Sequence, residues 1–200
     1  MPRPSNLFGI TSLEAHYKRS SQRVGQCQQA LDIPANVTLY HGDAVFRAGV
    51  SADHQQPMHP LDPSSSFPPY TSILALDCAY HFRTRREFLA QSYTRLAEGG
   101  RIALADICFE SEHGSSAILN RVIGLLGVMP RTNMISKKQY AEDMEQMGYT
   151  DIRMEDITQD VFPGFTRFLA RQGLGWGVFA QVIRAFAAAG ARFVVVSGKR

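Results

Sequence analysis

The sequence predicts an α/β domain on a mostly parallel sheet, with one antiparallel strand at the C-terminal end. Three observations carry this. Short apolar runs alternate with helical stripes from Leu7 to Ser197. Two of the runs, 72–80 (SILALDCAY) and 101–109 (RIALADICF), are nearly continuous in apolar residues, as in strands covered on both faces. Capping and glycine signals punctuate the boundaries between them.

The elements follow in order. Leu7 to Ile10 is a short strand, and Thr11-Ser12-Leu13-Glu14 reads as a capping box that opens a helix running toward Leu31. Pro34 blocks its continuation. Val37 to Tyr40 is a second strand ending at His41-Gly42-Asp43. Residues 46–70 hold half of the prolines and three consecutive serines, and are expected to form a flexible internal loop. The run at 72–80 is expected to be the central strand. Thr84-Arg85-Arg86-Glu87 is a second capping box, and its helix is expected to stop at Gly99-Gly100. The strand 101–109 is followed by helical spacing from Ser115 to Leu126. Ser136-Lys137-Lys138-Gln139 is a third capping box, with Tyr140, Met144 and Met147 on one helical face and Gly148 at its end. Residues 151–157 alternate like a strand, and 162–170 and 178–186 are helical. Arg192 to Ser197 is the last strand, expected to be antiparallel and near the edge.

Composition narrows the function classes. A chain of 200 residues suits one compact domain, here taken as 1–200. No apolar run reaches the ~18 residues needed to cross a bilayer, so stable membrane insertion is not expected. The first residues resemble neither a secretory nor an organellar leader. Three scattered cysteines, Cys27, Cys78 and Cys108, fit a reducing, cytoplasmic setting better than a disulfide framework. A net charge of +3 without a basic stripe gives no reason to expect a nucleic-acid partner.

Ligands of parallel α/β sheets bind beyond the carboxyl ends of the strands. That rule singles out Thr11, Asp43, residues 77–81 and Asp106. His81 has the chemistry of a general base near neutral pH, with Tyr80 or Asp77 to orient it. The plainer alternative is that His81 caps the strand and Asp77 bonds local backbone. Asp43 can accept from an exocyclic amine of a purine, or serve only as a turn aspartate. Asp106 is either a ligand contact or a cap. Arg83, Arg85 and Arg86 can bind an anion or simply solvate a helix start. His41, His54 and His59 match no metal-ligand spacing, and no metal is expected.

The segment 9–20 (GITSLEAHYKRS) resembles the second strand and helix of class I, S-adenosylmethionine-dependent methyltransferases of the small-molecule and lipid branch. The segments 37–44 (VTLYHGDA), 72–82 (SILALDCAYHF) and 96–107 (LAEGGRIALADI) are similar to that family's third strand, fourth strand, and the strand with its leading Gly-Gly. The run at 75–82 reads most like fungal members. The resemblance implies S-adenosylmethionine as cofactor. Thr11 and Ser12 would face the ribose hydroxyls and Asp43 the adenine, with Ala44 and Asp77 as further cofactor-binding residues. The Asp77-to-His81 spacing is similar to that of phosphoethanolamine methyltransferases, where the histidine assists transfer to nitrogen, and sterol methyltransferases show it too. The implied catalytic residues are therefore His81 and Tyr80.

One feature of the family is not found here. Its first strand leads into a Gly-x-Gly-x-Gly loop that lets backbone approach the methionine part of the cofactor. The only such triplet here, Gly173-Gly175-Gly177, lies near the wrong end. The resemblance thus implies a Rossmann-like sheet with its first strand missing, and an N-terminally incomplete domain. It leaves two readings. One is an enzyme acting on a small molecule or lipid, at N, O or C, completed by a protein partner. The other is an inactive relic that binds a ligand or partner. Weak cofactor binding by the chain alone is expected, with Thr11, Asp43, Tyr80 and His81 gathered at one end of the sheet.

Overall fold

The computed structural model describes residues 5–31, 36–49, 58–110 and 129–200. The helix expected at 115–126 lies outside them, as do residues 50–57 of the expected loop. The chain forms two compact units, Met1–Pro68 and Pro69–Arg200.

The first unit is a βαβ element: β1 (Asn6–Thr11), α1 (Glu14–Leu31) and β2 (Asn36–His41). The strands pair in parallel from Asn6↔Asn36 to Thr11↔His41, which requires the crossover that α1 supplies. Gly9 permits this pairing, because a Cβ there would lie 2.8 Å from Cδ2 of Leu39. The capping box expected at Thr11 does not form. The helix starts at Glu14 itself, so Thr11 stands too far upstream and accepts instead from the Leu13 N–H at 3.4 Å. Glu14 turns forward to pair with Lys18 at 2.6 Å. The described end of the 46–70 loop is anchored, with His59 and Leu61 buried.

The second unit holds β3 (Tyr70–Leu76), α2 (Arg85–Arg95), β4 (Leu96–Phe109), α3 (Lys137–Gln146), β5 (Thr150–Asp156), α4 (Thr158–Ala170), α5 (Leu174–Ala188) and β6 (Ala191–Lys199). Its sheet has the order β3-β4-β6-β5. β3 and β4 are parallel, while β6 runs antiparallel to both β4 and β5. The α/β class and the antiparallel last strand are as expected, but the sheets are mixed rather than mostly parallel.

Three further expectations are corrected. β3 is an edge strand of this sheet, not its centre: Ala75 is buried, whereas Leu74 and Leu76 on the alternate face are 68% and 69% exposed. Apolar continuity reports residue type on both faces and not what covers them. β6 is interior, and β5 takes the edge. Finally, α2 ends at Arg95, because Leu96 is already extended (ψ 144°). Gly99 and Gly100 lie inside β4 instead. Gly99 adopts φ +73°, and a Cβ on Gly100 would sit 2.9 Å from the carbonyl oxygens of Ala97 and Tyr70. The glycines therefore mark an irregular strand entry where two backbones approach, not a helix stop.

The other two capping residues do their work. Thr84 accepts from the Glu87 N–H at 3.2 Å and Ser136 from the Gln139 N–H at 3.1 Å. The core of the unit joins Leu89, Leu96, Ile102, Leu104, Met144, Val194 and Val196, all essentially buried. A second apolar cluster, with Tyr80, Ile107, Phe109, Phe162 and Phe193, lies toward the carboxyl end of β4 and the start of β6. Among the described residues, no helix is long and apolar enough to cross a membrane.

Candidate functional site

β3 ends where Asp77 enters the left-handed region at φ +55° while its N–H still donates to Ala105 O at 2.8 Å. A non-glycine residue held there is uncommon and breaks the strand direction. The chain turns into a short 3₁₀ segment, Ala79–His81. Tyr80 is buried, and its hydroxyl donates to Asp77 Oδ1 at 3.0 Å. The His81 ring centroid lies 4.1 Å from that of Tyr80. His81 itself is exposed, and its ring nitrogens make no hydrogen bond among the described residues. Burial, reinforced by the Asp77 charge, pushes the Tyr80 hydroxyl far above its usual range. Tyr80 therefore keeps its proton and acts as a fixed donor to Asp77. Burial, then the charges of Asp106 and Asp77, push the Cys78 thiol up to about 11, so it is not a nucleophile at neutral pH.

This corner rests on a buried polar network. Arg85 Nη1 donates to Asp106 Oδ2 at 2.7 Å and to Ile107 O at 2.9 Å, and its Nη2 donates to Asn133 O at 2.6 Å. Tyr140 donates to the same Asp106 oxygen at 2.9 Å, and its ring lies 4.3 Å from the guanidinium carbon. The Ile107 N–H occupies Asp106 Oδ1. Burial works against the Arg85 charge, but Asp106 beside it outweighs this and holds the guanidinium protonated. Asn133 completes the frame. Its Oδ1 accepts from the Arg85 N–H, and its Nδ2 donates to Tyr80 O at 3.0 Å and Phe82 O at 2.8 Å. The carbonyls on both sides of His81 are thus tied down.

The sequence reading of Arg85 as a solvated helix start is overturned: it is 1% exposed, and Arg86 pairs with Asp143 at 2.6 Å. Asp106 is a buried ion-pair partner, neither a ligand contact nor a cap. The available signal was Asp106 itself, since a carboxylate inside an apolar strand needs a cation. Nothing in the spacing distinguishes Arg85 from Arg83 as that cation, and nothing marks Asn133.

In the first unit the parallel register brings the ends of β1 and β2 together, and the Gly42 N–H donates to Thr11 O at 3.0 Å. Thr11 and Asp43 therefore share one end of this ladder, with Ser12 exposed and Ala44 partly buried. Asp43 Oδ1 accepts from the Val45 N–H at 3.0 Å, the local turn role. Its other oxygen has no partner among the described residues. His59 supports this turn: Nδ1 accepts from the Leu61 N–H, so Nε2 carries the proton it donates to Asp43 O, both at 3.0 Å. Burial lowers the proton affinity of His59, which suits this neutral form. An open cleft of about 430 Å³ is lined by Thr11 with His16, Arg19, Ser20 and Arg23. The structure thus brings Thr11 and Asp43 together in one unit, and Asp77, Tyr80 and His81 together in the other.

The fold of the chain matches that of class I, S-adenosylmethionine-dependent methyltransferases acting on small molecules. One match is a phosphoethanolamine N-methyltransferase 2 from Haemonchus contortus, in complex with phosphomonomethylethanolamine and S-adenosylhomocysteine (TM-score 0.63, 13% identity, 100% of this chain and 50% of that one). A second is the geranyl diphosphate C-methyltransferase of Streptomyces coelicolor, in complex with Mg²⁺, geranyl diphosphate and S-adenosylhomocysteine (0.68, 16%, 96% and 63%). A third is a sarcosine dimethylglycine methyltransferase homologue from Galdieria sulphuraria (0.69, 11%, 97% and 69%). The chain spans between half and about two thirds of the length of these structures. No family model and no curated protein matches it by sequence.

The described residues fit an adenosyl cofactor at one point, the free Asp43 oxygen, which is an acceptor suited to an exocyclic amine. They supply no glycine cradle. Gly173 caps the start of α5 and Gly175 and Gly177 lie within that helix, and nothing lies within 4 Å of a Cβ built on any of them.

Proposed function

We propose that the chain is a Rossmann-like, S-adenosylmethionine-dependent methyltransferase that acts on a small molecule or lipid. The observation that supports this best is the fold match over 96–100% of the chain to the two named enzymes, together with an exposed His81 fixed at the end of β3. When bound, S-adenosylmethionine supplies an electrophilic methyl group on sulfonium. In the first unit Asp43 would accept from the adenine amine, Thr11 and Ser12 would offer hydroxyls to the ribose, and Ala44 would be a further contact; in the second unit Asp77 is a further cofactor-binding residue of this reading. His81 would take the proton that an N, O or C acceptor releases, and Tyr80 would hold Asp77 in a fixed orientation next to it. Positioning supplies most of the rate in such a displacement, and a base adds on the order of 10²–10⁴-fold.

The described residues hold no glycine cradle, and a second reading is a catalytically inactive relic that binds a ligand or a protein partner. Calorimetric titration with S-adenosylhomocysteine separates the two. The enzyme reading expects saturable binding, weaker than micromolar for the chain alone, that Asp43→Ala weakens further. No heat at millimolar ligand would leave only the relic. Labelled methyl transfer to phosphoethanolamine or geranyl diphosphate then tests turnover.

A further inference from the structure

Between α4 and α5 lies a cavity of about 300 Å³, the size at which small-molecule sites begin. Its apolar wall is firm: Phe162 is 8% exposed and meets Phe193 edge-on at 6.1 Å. The hydroxyls within it are already engaged. Thr158 Oγ1 accepts from the Phe193 N–H at 2.9 Å, and Thr166 Oγ1 donates to Pro163 O at 3.4 Å. The polar groups left are Gln159, Arg167 and Arg184, none of which has a partner among the described residues. No residue lining the cavity is acidic.

Elsewhere in the same unit Arg85, Arg86, Arg101 and Arg192 each pair with a carboxylate within 2.7 Å. Arg167 and Arg184 come from different helices, yet both line one apolar hollow in which no described lining residue carries a counter-charge. A guanidinium is the group best shaped to grip carboxylate or phosphate oxygens in pairs.

We propose that this groove binds an amphiphilic anion, its carboxylate or phosphate held by Arg167 and Arg184 and its short apolar tail laid on Phe162, Pro163 and Ala187. Gln159 adds a neutral donor at the rim. Phe162 belongs to the same buried cluster as Tyr80, so the occupant sits against the wall that backs the end of β3. The site does not depend on methyl transfer.

The test is calorimetric titration of the full 200-residue chain with monomeric octanoate, hexyl phosphate, hexanol and hexylamine. Both anions are expected to bind and the alcohol and amine not to. Arg167→Gln and Arg184→Gln should each weaken anion binding about tenfold or more, with unchanged thermal midpoints because both side chains are exposed. Arg171→Gln, outside the cavity, should bind like the unaltered chain. Equal binding of hexanol, or full anion binding by the double Arg167→Gln/Arg184→Gln variant, would overturn the proposal. A parallel arm uses vesicles of phosphatidylcholine with phosphatidylserine. Vesicle binding without binding of either monomeric anion would also overturn it, in favour of a membrane surface.

Discussion

Arg85 on α2 and Asp106 on β4 form an ion pair 2.7 Å long with both side chains closed off from solvent. Two charges so placed cost much desolvation, which their attraction offsets only when the remaining polar atoms are also bonded. Here they are, through Tyr140, Asn133 and the backbone of Ile107. The pair links the helix after the candidate base to the strand beside it, and Asn133 carries that link to the backbone around His81.

Removing one charge should therefore be expensive. Asp106→Ala is expected to destabilise the fold by ~3–5 kcal/mol, measured by urea unfolding, because the Arg85 guanidinium is left buried and unpaired. The double variant Arg85→Met/Asp106→Leu should recover a large part of that loss. A cost for Asp106→Ala under 1 kcal/mol would show that water reaches the site.

His81→Ala should leave unfolding midpoints nearly unchanged, since the ring is exposed and unbonded. In steady-state methyl-transfer assays it should lower turnover by about 10²-fold or more, with little change in S-adenosylhomocysteine affinity. An unchanged turnover number would remove His81 from the proton-transfer role.

His59 should make the first unit sensitive to mild acid. Burial lowers its proton affinity in the folded chain, outweighing the nearby charges of Asp62 and Asp43, so the unfolded chain binds the proton more readily. Its contribution is complete above the ordinary histidine value of 6.5 and is lost as pH falls below it. Protonating Nδ1 would also remove the acceptor for the Leu61 N–H. Thermal midpoints recorded from pH 8 to pH 5 should fall for the unaltered chain and fall less for His59→Gln. Parallel curves would contradict this.

Gly148→Ala should cost about 1–3 kcal/mol. Gly148 has φ +99°, and a Cβ would lie 2.7 Å from the Tyr93 hydroxyl oxygen and 2.9 Å from its ring carbon. The double variant with Tyr93→Leu should recover only the steric share. A neutral Gly148→Ala would mean that the loop after α3 relaxes freely.

Element identity was legible because helix and strand periods differ and because Thr84 and Ser136 are true caps. Strand position was not. The run at 72–80 is apolar enough for a central strand, and only pairing reveals that β3 stands at an edge while β6 is enclosed. The glycine pair at 99–100 misled for a related reason: the same residue serves a helix stop or a tight backbone approach, and the carbonyl of Tyr70 decides which. At the candidate site, Asp77, Tyr80 and His81 could be found because four residues of sequence hold them together. Arg85, Asn133 and Tyr140 could not, since their partners are 21 to 53 positions away.

The register of β6 carries a consequence for biosynthesis. Arg101 pairs with Lys199 and Phe109 with Ala191, so β4 acquires its second neighbour from residues made 82 or more positions later. Until then the nascent chain carries a long apolar strand bonded on one side only, with β5 wholly unpaired in this sheet. Such an intermediate is open to wrong association while translation continues. Sheet closure thereby waits on the last strand of the unit to be made. A frameshift or nick ahead of Ala191 would delete Val194 and Val196 from the core and leave a product for proteolysis, not a shortened protein.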